Sequence, residues 1–146
     1  MLADETFRQR SAVARGVLTA DVSIVRSGVD GAGISVRIDQ LQPTQGVPDV
    51  ARRFVAPTVR IVQLEEWSDD RGGTVVVEVP GLPVTVTGTV RLETEAGRTH
   101  QRLEAEVDVR VPLVGQRLAG FLGGLIAAGM DTEQQVGEAW LRGERG

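Results

Sequence analysis

Apolar residues change period along the chain. Residues 3–14 place Phe7 and Val13 in an otherwise polar stretch, which predicts a short amphipathic helix with Asp4 as its N-cap and Gly16 as its stop. Period-two alternation then takes over. Leu18, Ala20, Val22 and Ile24 share one face, with Thr19, Asp21 and Ser23 opposite. The turn G-V-D-G-A-G at 28–33 leads into Ile34, Val36 and Ile38, with Ser35, Arg37 and Asp39 opposite. Its G-x-x-G-x-G spacing is that of a hairpin turn rather than a phosphate loop, because no helix follows it. Residues 41–57, with three prolines, predict a loop carrying one helical turn over 49–54. A strand at 58–67 and the turn D-D-R-G-G (69–73) come next. Val75, Val77 and Val79 then precede Val84, Val86, Val90 and Leu92. After the turn E-A-G-R (95–98), Leu103, Ala105, Val107, Val109 and Val111 alternate with charged residues. Six strands joined mostly by tight turns, each apolar on one face, predict an antiparallel meander covered on one side.

The cover is the segment R-V-P-L-V-G-Q-R-L-A-G-F-L-G-G-L-I-A-A-G-M-D, residues 110–131, and its continuation. On a helix of ~100° per residue, Leu118, Phe121, Leu122, Leu125, Gly129, Thr132, Val136, Ala139 and Trp140 fall on one side. Gly120, Gly123, Gly124 and Ala127 fall on the other. Each interior glycine costs about 1 kcal/mol relative to alanine, so this helix depends on packing rather than propensity. Gly120 and Gly124 form a G-x-x-x-G pair, a helix–helix packing motif in membranes. Gly129 interrupts the apolar stripe itself. It either admits a close strand, leaves a hole, or marks a kink after which a second helix restarts at Asp131 or Thr132. A hole under a long helix facing a sheet is a site for an apolar ligand. Its expected lining is Leu118, Leu122, Leu125 and Gly129 from the helix, and Val36, Ile38, Val77, Val86, Val90, Ala105 and Val107 from the strands.

Composition narrows the alternatives. A chain of 146 residues suits one domain with a core of its own. Absence of cysteine removes disulfides, thiolate nucleophiles and cysteine metal sites. A net charge of -4 leaves no electrostatic footprint for nucleic acid. All sixteen basic residues are arginine, and lysine, asparagine and tyrosine are missing. Those three have AT-rich codons, so the arginines reflect codon usage before function. The N-terminus lacks the layout of a signal peptide. The uncharged run from Leu118 to Met130 spans thirteen residues, short of the ~20 of a spanning helix. A soluble cytoplasmic protein without stable membrane insertion is expected.

Three segments carry a resemblance: V-R-I-V-Q-L-E-E-W (59–67), V-T-V-T-G-T-V-R-L (84–92) and V-D-V-R-V-P-L-V-G-Q-R-L (107–118). With the order helix, meander, long helix, the chain resembles the START-like superfamily (SRPBCC, Bet v 1-like), in a branch described as domain of unknown function 2505. The resemblance implies an α+β helix-grip fold, an antiparallel β-sheet wrapped around a long C-terminal helix. It also implies a cavity receiving a lipid- or polyketide-like hydrophobic small molecule. Superfamily members begin with a strand before the first helix. This chain starts in the segment resembling that helix, so the usual first strand is expected to be missing and the true start to lie upstream. The strands at 17–26 and 99–111 would then have unpaired edges, through which a homodimer is expected.

Candidate chemistry is sparse. The lone His100 follows a turn on the polar side of its strand, without partners at ligand spacing. No G-x-S-x-G, H-E-x-x-H or P-loop occurs, and neither a metal nor a cofactor is expected. The 58–67 strand alone is ambiguous. One face carries Val59, Ile61, Gln63, Glu65 and Trp67, the other Thr58, Arg60, Val62, Leu64 and Glu66. If Gln63 and Glu65 point inward, desolvation would raise the pKa of the carboxyl and make it an acid or base. Cyclase-like or hydratase-like chemistry of the kind the resemblance implies would then rest on this strand. The plainer alternative is that both residues hydrogen-bond at the strand end near Trp67. A non-catalytic binder or carrier is the favoured function, with an enzyme or a ligand-free interaction module as alternatives.

Overall fold

A computed structural model describes residues 1–52 and 55–145. Helix α1 spans Glu5–Ala14. Asp4 caps it, its carboxylate accepting from the Thr6 and Phe7 N–H groups at 2.9 and 3.2 Å. Two of the donors that a helix start leaves unpaired are thereby satisfied. Phe7, Arg8, Ser11 and Ala12 form the buried face. Val13, expected as a contact, is 70% exposed. A stripe advancing by three and four residues from Phe7 and Arg8 reaches Ser11, Ala12 and Arg15 and passes Val13 by. Gly16, at φ +78°, turns the chain out of the helix.

Six antiparallel strands follow in sequence order: β1 (Thr19–Ser27), β2 (Gly33–Pro43), β3 (Thr58–Trp67), β4 (Gly72–Glu78), β5 (Val84–Glu95) and β6 (Arg98–Val109). A four-residue helix, α2 (Asp49–Arg52), lies between β2 and β3. Arg53 and Phe54, the rest of the expected helical turn, lie outside the described residues. The meander does not close, so β1 and β6 are its two edges. Its inward face carries a core cluster of Ile34, Val36, Ile38, Trp67 and Val90. β3 turns Gln63, Glu65 and Trp67 inward. Its other face carries outer-surface pairs, Glu66 accepting from the Ser35 hydroxyl at 2.6 Å and Arg60 donating to Asp39 at 2.8 Å. The hydrogen bond from Arg60, aided by Arg37, holds the Asp39 carboxyl below its ordinary range. Gly88 faces Ala105 across β5 and β6. A Cβ at Gly88 would stand 2.3 Å from the Glu104 carbonyl oxygen, so only glycine allows the strands this approach.

Helix α3 runs unbroken over Gly115–Leu141. No second helix restarts at Asp131 or Thr132; the Thr132 hydroxyl instead donates to the Ala128 carbonyl at 3.0 Å, inside the helix. α3 packs on α1 and along β6. Its far end is the anchor: Trp140 is buried and meets Phe7 edge-to-face, with ring centroids 5.6 Å apart. Among the described residues, no helix is long and apolar enough to cross a membrane.

Gly120, Gly123 and Gly124 face open space, with no atom within 4 Å of where a Cβ would stand. The G-x-x-x-G pair therefore packs against nothing among the described residues. Gly120→Ala with Gly124→Ala is expected to raise the unfolding free energy by about 1 kcal/mol per site, from helix propensity alone. Urea denaturation measures this, and a loss of stability would mean that the glycines serve a packing contact after all.

Candidate functional site

A cavity of about 340 Å³ lies between the middle of α3 and the sheet. That falls within the ~300–1,000 Å³ range of small-molecule pockets. Its apolar wall is built by alternation: Val75 and Val77 come from the inward side of β4, Val79 from the residue just after that strand, and Val84, Val86 and Val90 from β5. Leu122, Leu125, Ile126 and Gly129 of α3 form the roof. The other side is more polar, although Ile61 of β3 lies on it. Gln40 and Gln42 of β2, Gln63 and Glu65 of β3, and Arg8 and Arg15 from α1 and its C-cap border it, with Thr132 and Glu133 of α3.

The expected lining divides in two. Val77, Val86, Val90, Leu122, Leu125 and Gly129 border the cavity. Val36 and Ile38, each 2% exposed, are packed into the core cluster instead. Leu118, Ala105 and Val107 are outside the lining, and Ala105 is exposed. Alternation determines the face on which a residue lies but not its place across the sheet: Ile38 and Val107 are level with Val77 and Val86 in the strand register, yet they stand on β2 and β6, to either side of them. Gly129 admits no strand among the described residues; it borders the cavity. The aliphatic stem of Arg15 lies beside it, Cδ 3.5 Å from where a Cβ would stand.

Glu65 is inward and buried, and fully engaged. Arg8 grips it with two bonds, Nη1 donating to Oε1 at 3.0 Å and Nη2 to Oε2 at 2.6 Å. Gln63 donates to Oε1 and the Trp67 indole to Oε2, both at 2.7 Å. Four donors on two oxygens use up the acceptor capacity of a carboxylate. Arg8 spends its Nε–H on the Leu2 carbonyl at 2.8 Å. This cluster ties α1 to β3 and leaves the carboxylate no free position for a substrate proton.

Arg15 is different. Its Nε–H donates to the Ser11 carbonyl at 3.3 Å, and no carboxylate lies within ion-pairing distance among the described residues. Burial holds its guanidinium below the ordinary arginine range, with Glu133 opposing the shift through its charge. Gln40 is 4% exposed, and its side-chain Oε1, an acceptor, is buried with no hydrogen-bond partner among the described residues. A wider groove of about 1020 Å³ runs between the start of β6 and the second half of α3. Exposed His100 lies there among charged residues, and no cluster able to hold a metal occurs among the described residues.

Arg8, Arg15 and Gln40 are the site residues that pattern reading passes over. The signals existed. Arg8, Ser11, Ala12 and Arg15 continue the Phe7 face at helical spacing. Gln40 and Gln42 continue the inward parity of Ile34, Val36 and Ile38.

The molecule is thus an α+β protein of helix-grip-like form, an open antiparallel sheet with a long C-terminal helix over a cavity. The chain belongs to the family described as "Protein of unknown function (DUF2505)", which matches residues 1–141. It is also similar to the crystal structure of TTHA0849 from Thermus thermophilus, with a TM-score of 0.52 and 16% identity over 90% of this chain and 84% of that one. At that identity the likeness is one of fold. No match to a curated protein is found.

Proposed function

We propose that this protein binds or carries a hydrophobic small molecule, lipid- or polyketide-like, in the cavity under α3. The cavity's apolar side carries the reading: five valines on two adjacent strands, with Val79 just beyond one of them, under a leucine and isoleucine roof. Burying an apolar ligand there removes its surface from water at roughly 25 cal/mol per Å². The resemblance of the strand and helix motifs to the START-like superfamily supports the same reading. An enzyme in this cavity would need a free acid or base, and Glu65 is held by four donors. Titration with a neutral, environment-sensitive apolar dye tests the proposal. Saturable fluorescence enhancement is expected, and a flat titration would rule the binder out.

We also propose that two copies associate through the outer edges of β1 and β6, which are unpaired in the sheet. The β6 edge is twelve residues long. Size-exclusion chromatography with light scattering is expected to give a dimer mass, and a monomer at all concentrations would reject the pairing.

A further inference from the structure

We infer that the association of two copies is isologous: β6 of one copy pairs antiparallel with β6 of the second about a twofold axis at Leu103, and the two sheets become one. The inference rests on the proposed association and narrows it to one edge and one register.

The two edges of the sheet are not equally open. On β1 the Ile24 N–H donates to the Glu5 carboxylate at 3.2 Å, and the Ala20 carbonyl accepts from the Gln9 amide at 3.0 Å. Glu5 and Gln9 stand one turn apart on α1, so their side chains occupy the middle of that edge and blunt it. β6 has no such cover. The Arg110 N–H donates to the Pro83 carbonyl at 3.0 Å, one position beyond the Val84–Val109 pair of the β5–β6 register. Backbone groups point alternately to the two sides of an antiparallel strand. Those of the even-numbered β6 residues therefore bond to β5, and those of Thr99, Gln101, Leu103, Ala105 and Val107 point out of the sheet. Among the described residues, no backbone hydrogen bond from outside the sheet reaches these five.

The side chains select the partner. The outer face of β6 carries Arg98, His100, Arg102, Glu104, Glu106 and Asp108, all exposed. Basic residues come first and acidic ones last, so the strand is complementary to its own reverse. With Leu103 opposite its own copy, Arg102 faces Glu104, His100 faces Glu106 and Arg98 faces Asp108, each twice by symmetry. Opposite charges directly across a strand pair stabilise it, and like charges destabilise it. A slip of two residues either way would set Glu104 or Arg102 against its own copy. On the inner face, half-buried Leu103 meets its copy, and Ala105, exposed in one copy alone, comes opposite Gln101. A twofold contact of this kind closes at two copies.

The test is sedimentation velocity over a concentration series at low ionic strength, where exposed charge pairs are least screened. The native chain is expected to be a dimer. Arg102→Glu and Glu104→Arg should each weaken it at least about tenfold, because each turns two attractive pairs repulsive. An equimolar mixture of the two variants should recover the dimer, since every pair between unlike copies is again opposite in sign. The chain has no cysteine, so a single introduced one reports the register independently. Mild oxidation should link Leu103→Cys covalently to its copy. It should not link Ala105→Cys, whose copies would lie four residues, ~13 Å, apart, beyond the reach of a disulfide. A native dimer that neither reversal weakens would overturn the β6 pairing and leave the association standing on another surface. Weakening without recovery in the mixture, or cross-linking through Ala105→Cys instead, would overturn the register. A native monomer at all concentrations would remove the association and this inference with it.

Discussion

Arg8→Met is expected to lower the unfolding free energy by about 3–5 kcal/mol, the cost typical of leaving one member of a buried ion pair without its partner. The side chains of Arg8 and Glu65 are 3% and 6% exposed, so the carboxylate would lose its charged partner in a largely desolvated place. Gln63 and Trp67 would still donate to the carboxylate, but two neutral donors do not compensate a full charge. The pair also joins residues 57 positions apart, so its loss frees α1 from β3 as well as stranding a charge. At about 2–4 °C per kcal/mol for a chain of this size, the melting temperature should fall by roughly 6–20 °C. Arg8→Met with Glu65→Leu removes both charges and should recover much of that loss, since apolar replacements of buried pairs are often neutral or stabilising. Thermal melts of native, single and double variants measure the difference. A double variant as unstable as Arg8→Met would show that the residues matter for something other than their mutual charge.

Val77→Trp is expected to weaken uptake of the neutral dye by more than about tenfold, because the indole would occupy the volume that the dye needs. Val77 lies on the inward face of β4 between Gln63 and Val86, and it borders the cavity. An empty 340 Å³ can receive the ring, so the fold should tolerate what a filled core would not. Thr87→Trp, on the exposed face of β5, is the control for placing an aromatic residue in the sheet, and it should bind dye like the native protein. Unchanged dye affinity in Val77→Trp would place the dye elsewhere, and the wide groove beside His100 would become the region to probe.

The strands and their order were legible in the sequence, because half-buried antiparallel strands write their inward face into every second residue. Val84, Val86 and Val90 against Thr85, Thr87 and Thr89 leave little choice of face, and short turns leave little choice of neighbour. The long C-terminal helix was legible for the same reason at its own period. The inward face of β3 was not, although the strand itself was, because both of its faces mix apolar and polar residues, and only the partners could decide. Arg8 waits on one side and Asp39 on the other, and neither is near β3 in sequence. The same distance hid the site. That Arg15 lies beside Gly129, and that Gln40 Oε1 is left without a partner among the described residues, depend on how the elements meet. Periodicity within one element reports which way a side chain points. What it meets there depends on how α1 and α3 cross the sheet, and only the tertiary structure decides that.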